Sequence, residues 1–234
     1  MASPMSVRRS DEVTAATMAE EAYTQLRRWI LDGELPAGSR LVVRPLAERM
    51  GHSPTPVKAA LVTLAQEGLV ESVLNAGYSV PRADAELFRQ SAELLVEYDV
   101  IAARAVVQQG RNESVAQELA GLVAEQGRSS RSGDNSRGFE LELHAVLWQR
   151  SGNRLLLDAA LTARGRALVS SGQLIRHPSL LGDLHAEHQS VVHALARGQI
   201  RAVERTLRRH GRNTITAVLD LFPDNHPRST KGPR

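Results

Sequence analysis

The hydrophobic pattern changes once along these 234 residues, near Pro81-Arg82-Ala83-Asp84. Before that point, three short helical stretches run into a pair of short extended segments. Beyond it, every periodic stretch is helical. A chain of this length has room for two modest domains, and the change of period marks the junction between them.

In the first part, residues 1–14 are polar and aperiodic and read as a mobile leader, so the domain itself spans 15–81. From Met18 to Leu31, Ala22, Leu26, Trp29 and Ile30 recur at helical spacing, and Gly33 and Pro36 stop the helix. A second helix is expected over Val43–Met50, closed by Gly51. A third starts near Ser53 and ends near Glu67. Ser53 suits an N-cap and Pro54 the first helical turn, while Val57, Leu61 and Leu64 supply the buried face. Leu69–Val73 and Tyr78–Pro81 then bracket a turn at Leu74-Asn75-Ala76-Gly77 and read as a hairpin. Three helices and a hairpin make a winged helix-turn-helix.

The second part, 84–221, reads as an all-α antiparallel bundle of about six helices, near 84–108, 113–127, 136–151, 154–172, 179–197 and 199–221. Gly110, the polar stretch 127–137, Gly152, Gly172–Pro178 and Gly198 separate them. The polar segment 222–234 reads as a disordered tail. The fold class is therefore mainly α.

The chain has no cysteine, which excludes disulfides, thiolate catalysis and sulfur-ligated metals. No apolar run is long enough to span a bilayer, and the N-terminus lacks a signal-peptide core. A cytoplasmic protein is the expectation. There are 29 basic and 26 acidic residues, a net charge of +3. That excess does not come from the first part. Residues 1–80 hold eight basic and nine acidic groups, while Arg197 to Arg234 hold nine basic groups against three acidic.

In a helix-turn-helix, the start of the second helix of the motif enters the major groove. Here it reads Ser53-Pro54-Thr55-Pro56-Val57-Lys58. Ser53 and Thr55 carry small hydroxyls for phosphates or base edges, and Lys58 lies one turn on. Arg44 and Arg49 on the preceding helix suit backbone contacts. Asn75 and Gly77, at the wing tip, suit the minor groove. Double-stranded DNA is the partner these positions point to.

The residues that carry a resemblance are Leu26, Ile30, Gly33, Pro36-Ala37-Gly38, Leu41, Leu46-Ala47-Glu48, Gly51, Ser53 and Thr55-Pro56-Val57. They continue through Ala60-Leu61, Leu64, Glu67-Gly68-Leu69-Val70 and Gly77. In this order, residues 22–81 resemble the N-terminal domain of the GntR family of bacterial transcription regulators. Members usually carry arginine where this chain has Pro54 and Lys58. Pro54 has no donor, and lysine cannot form the bidentate fork of arginine. The implied operator differs from the usual family type, or is bound less tightly, with an affinity that falls steeply with salt.

Three histidines occupy informative helical positions. Glu140 and His144 share a face at i, i+4. His188 interrupts the stripe Leu181, Leu184, Val191, Leu195, and His210 the stripe Ile200, Val203, Leu207. Three imidazoles and a carboxylate facing a bundle interior suit Zn, Ni or Mn. His185 is a further candidate ligand, whereas His52, His177, His193 and His226 read as surface or loop residues. Each histidine taken singly also fits a hydrogen-bonded core position.

Phe139-Glu140-Leu141-Glu142-Leu143-His144, Ser151-Gly152-Asn153, Leu155-Leu156, Glu187-His188, Ala194-Leu195 and Arg208-Arg209-His210 resemble the FCD domain of the FadR-type branch of that family. With the first domain, the resemblance spans roughly residues 20–215. It implies a metal set which, carried over by position, becomes Glu140, His144, His188 and His210. It also implies a small carboxylate effector near that cluster. The family's effector-gripping arginine has no counterpart around Leu94–Asp99, and Arg104 lies further along.

Together these readings describe a homodimeric, effector-responsive repressor rather than an enzyme. Two other readings stay open: a metal- and ligand-binding relative with weakened or lost DNA binding, and a metalloenzyme. Against the latter, the sequence has no HExxH, nucleophile elbow or Gly-rich phosphate loop.

Overall fold

The computed structural model describes residues 4–73, 77–132, 139–172, 174 and 177–222. Residues 74–76, on which the expected hairpin turn and Asn75 fall, residues 133–138, and those from 223 on, with the expected tail and His226, lie outside the described residues, as does the side chain of Glu140. The chain divides into two units, Met1–Ala83 with Leu168–Gly172, and Asp84–Ala167 with Gln173–Arg234.

In the first unit, helix α1 spans Pro4–Leu31. It begins inside the stretch read above as a leader. No breaker interrupts it, and proline is well tolerated where a helix starts. Helix α2 (Val43–Met50) ends at Gly51, whose φ of 69° needs the left-handed conformation open to glycine. Helix α3 (Pro54–Gln66) follows, with Ser53 at its N-cap.

The Ser53 side chain makes no capping bond. Pro54 and Pro56 remove two of the first three helical N–H groups, so little remains for the hydroxyl to cap. Ala22, Leu26, Val57, Leu61 and Leu64 are all fully buried, so α1 and α3 close one core. Tyr23 Oη donates to Glu67 Oε1 at 2.9 Å across the same pair of helices.

The hairpin strands are β2 (Glu71–Val73) and β3 (Gly77–Ser79), shorter than the runs expected. Leu69 and Val70 instead bond back to the Leu64 carbonyl and close the end of α3. A strand too short to show periodicity, β1 (Arg40–Leu41), adds to the sheet in the order β1-β3-β2. Leu41 pairs with Tyr78, and Glu71 with Ser79.

The second unit is built from helices α4 (Ala85–Gln108), α5 (Asn112–Ser132), α6 (Phe139–Arg150), α7 (Arg154–Ser170), α8 (Pro178–Ala196) and α9 (Ile200–Leu219). Helix α7 ends in the first unit's grouping. Asp84 caps α4 by accepting from the Leu87 N–H at 2.9 Å. Helix α5 runs past Gly127, where a stop was expected. A Cβ at Gly127 would stand 2.8 Å from His185 Cε1, so glycine serves the approach of α8 rather than a chain reversal. Helix α4 packs on α9 and α6, α5 on α8 and α6, and α8 on α9.

Two apolar clusters form in this unit. One gathers Val100, Val106, Leu119, Leu147, Leu195 and Leu207. The other gathers Phe88, Ala92, Leu180, Leu184, Val218 and Phe222. Along α4, α8 and α9, the stretch between the two clusters holds Asp99, His188 and His210. No helix among the described residues is long and apolar enough to cross a membrane.

Candidate metal centre and nucleic-acid interface

Helices α6, α8 and α9 each bring one histidine to a common point. One ring nitrogen from each of His144, His188 and His210 lies within 4.8 Å of the others. His188 is fully buried and His210 is 3% exposed. The outer nitrogen of each ring meets an oxygen. His144 Nδ1 lies 2.9 Å from Asp99 Oδ2, His188 Nδ1 3.0 Å from Gln126 Oε1, and His210 Nδ1 2.8 Å from Glu187 Oε2.

These oxygens accept, so each Nδ1 carries a proton and each ring turns its Nε2 inward. His144 Nε2 and His210 Nε2 are 3.4 Å apart, and His188 Nε2 is buried with no hydrogen-bond partner among the described residues. Converging ring nitrogens with a carboxylate or amide oxygen behind each ring are the arrangement that metal-ligating histidines adopt. The residues present therefore fit a divalent ion. Burial, followed by the neighbouring His210, His144 and His185, holds the His188 imidazole well below its ordinary value, which keeps it in the ligating form. Burial pushes the Glu187 carboxyl up, but hydrogen bonds from His210 and Asn213 bring it below its ordinary value.

Asp99 is the residue the sequence reading missed. It is 5% exposed and also accepts from Trp148 Nε1 at 2.7 Å. A buried hydrogen bond to a charged group contributes about 1.5–3 kcal/mol. One signal was present: Asp99 interrupts the apolar stripe Ala92, Leu95, Ala102, Val106 of α4, where an unpaired carboxylate is costly. His185 stands apart from the cluster, with Nε2 3.1 Å from Gln189 Nε2. Arg104 pairs with Glu204. A cavity of about 60 Å³ opens beside Asp99, His144 and His210.

In the first unit, Ser53, Thr55 and Lys58 are exposed along the start of α3, and Arg44 is exposed on α2. Gly77 is exposed at the start of β3. Arg49, also exposed on α2, has partners within the unit. Its guanidinium stacks 3.8 Å from the Trp29 ring centroid and pairs with Glu34 at 2.6 Å.

Residues 18–80 match the model for bacterial regulatory proteins of the gntR family, and residues 80–213 that for the FCD domain. The chain is 28% identical over 216 residues to an uncharacterized HTH-type transcriptional regulator in an unstable DNA locus of Streptomyces ambofaciens, covering 89% of this chain and 86% of that one. Its fold is similar to E. coli McbR/YncC, with a TM-score of 0.72, 19% identity, and 87% and 97% of the two chains covered. It is also similar to a GntR regulator from Rhodococcus sp. RHA1, with a TM-score of 0.65, 18% identity, and 88% and 99% covered. The matched families are those of transcriptional regulators, not enzymes.

Proposed function

The chain belongs to the gntR family of bacterial regulatory proteins, as a DNA-binding transcription regulator with an FCD effector-binding domain, and on that premise we propose that it is a dimeric repressor governed by a divalent metal and a small organic acid. The observation that carries the metal reading is the convergence of three ring nitrogens within 4.8 Å, with His188 Nε2 buried and unpartnered. His144, His188 and His210 would hold the ion, and Asp99 supports it from behind the His144 ring, bound to His144 Nδ1. Glu140, the carboxylate indicated by helical spacing, remains part of the proposed set. Zinc, nickel and manganese all suit three imidazoles and a carboxylate. Bound there, the ion offers open positions to an acid's oxygen.

Lys58, Arg44, Arg49, Ser53 and Thr55 meet the operator, with Asn75 and Gly77 on the wing. The first part of the chain carries no excess of positive charge, so two copies of the domain acting together give the affinity. Binding of the acid in the helical unit shifts the population of dimers whose two reading helices match the operator spacing. The protein acts in the cytoplasm.

Fluorescence anisotropy on the promoter region near its own gene tests this reading. Metal-loaded protein binds, rising salt weakens the complex, and a carboxylic acid releases it. Binding that ignores salt, or release by metal removal with no acid able to cause it, contradicts it. One observation favours a second reading, in which DNA binding is weakened or, at the limit, lost. Pro54 offers no donor at the start of α3, and Arg49 is held by Glu34 and Trp29. That reading expects no complex at any salt concentration.

A further inference from the structure

Helix α3 has two unlike sides. Val57, Ala60, Leu61 and Leu64 are buried. Thr55, Lys58, Ala59 and Val62 are exposed on the opposite side. Their spacing, i, i+3, i+4 and i+7, places them on one helical face, and it is the spacing with which a helix lying in the major groove reads base edges. Val62 keeps 42% of its surface exposed. A lone exposed valine is ordinary elsewhere on a protein, but on this face it meets whatever the helix reads.

The hydrogen-bonding groups on offer are few. Between Ser53 and Ala65 there is no arginine, asparagine or glutamine, the side chains that grip guanine or adenine through two hydrogen bonds at once. Lys58 is the single cation of that stretch, and a lysine is a point charge that suits a phosphate as well as a base. Thr63, on the flank, turns its Oγ1 back to the Ala59 carbonyl at 3.3 Å. What the face presents instead is methyl groups, from Thr55, Ala59 and Val62. The major groove holds one apolar counterpart, the thymine 5-methyl group. Thr55 and Val62 stand about 10 Å apart along the helix axis, the rise of about three base-pair steps.

We propose that α3 selects thymine: the methyls of Thr55, Ala59 and Val62 pack on thymine 5-methyl groups about three base pairs apart at the ends of the contact, while Lys58 holds a phosphate. Val62 then sets specificity at the inner end of the stretch that α3 reads. This inference rests on the operator reading above and names the base which that operator must carry.

The test uses the full chain. Duplexes with a random segment of about 20 base pairs, room for two half-sites one helical turn apart, are selected by repeated binding and elution. The enriched half-sites carry thymines. Each thymine is then replaced by deoxyuridine, which keeps every hydrogen-bonding group and removes only the methyl, and affinity is read by fluorescence anisotropy. Burying one methyl is worth about fourfold in affinity, so uracil at one contacted position in both half-sites costs about 15-fold. Val62→Ala, a change at an exposed site, loses a similar amount on the thymine duplex. It loses no more when uracil replaces the thymine that Val62 meets, so the two changes are not additive. The uracil series alters only the DNA and decides the matter even should Val62→Ala fail to fold. Enriched sites that tolerate uracil at every position, or Val62→Ala with wild-type affinity and wild-type sensitivity to uracil, overturn this inference alone. A chain that enriches no sequence from the pool overturns the operator reading on which it rests.

Discussion

Asp99 Oδ2 and His144 Nδ1 lie 2.9 Å apart, joining α4 to α6. The same carboxylate accepts from the Trp148 indole at 2.7 Å. Asp99 thereby fixes the tautomer and the orientation of the His144 ring, the most accessible of the three imidazoles. Replacing it with asparagine keeps the volume but weakens the acceptor. Asp99→Asn should lower metal affinity about 10–100-fold, the usual effect of losing such a supporting partner. Competitive titration against a chromogenic chelator measures it, and wild-type affinity would exclude the role.

Metal removal should lower thermal stability. At a free-ion concentration one hundred times Kd, a ligand adds about 2.7 kcal/mol. For a chain of this size, about 2–4 °C accompanies each kcal/mol. A chelator should therefore lower Tm by about 5–10 °C in wild-type protein and by little in His210→Ala. Calorimetric scans of both proteins decide it.

Gly211 lets α9 pass close to α4. A Cβ there would stand 2.1 Å from Val96 Cγ2, a separation real atoms do not reach. Gly211→Ala should destabilise the protein by about 1–3 kcal/mol despite the better helix propensity of alanine. Val96→Ala should restore part of the loss, because it removes the opposing methyl. Urea denaturation of the single and double variants gives the coupling energy.

Arg49 and Lys58 should separate stability from DNA binding. Arg49→Ala removes the stacking on Trp29 and the pair with Glu34, at a cost of about 1 kcal/mol. Lys58→Ala should leave stability unchanged, weaken operator binding, and reduce the salt slope by about one. Anisotropy across a salt series, beside urea melts, distinguishes the two.

The metal-free protein should lose stability as pH falls. Burial and neighbouring histidines hold His188 below the ordinary value of 6.5. Between the two values, the unfolded chain binds a proton that the folded chain refuses. The contribution is fully present above 6.5 and lost as pH drops, by up to about 1.4 kcal/mol per unit. Urea melts at pH 7.5 and 5.5 test the sign. A curve that rises on acidification would contradict it.

The sequence by itself determined the parts governed by neighbours along the chain. Val43–Met50 and Gly51 were legible because apolar spacing and a left-handed glycine are local signals. So were the six long helices, and His188 and His210, since each of the two interrupts an apolar stripe of its own helix, while His144 was marked by its spacing from Glu140. Only the tertiary structure decided what converges. Local spacing points to Glu140 as the carboxylate beside His144, yet the oxygen on its Nδ1 belongs to Asp99 of α4. That depends on how α4, α6, α8 and α9 are rotated and spaced, which the contact at Gly211 and Val96 helps set. The same holds for Arg49, whose position on α2 suits a phosphate contact and whose partners in the folded unit are Trp29 and Glu34. Periodicity records which face of a helix is buried. It carries no information on what stands opposite, because that follows from the packing of segments far apart in the chain.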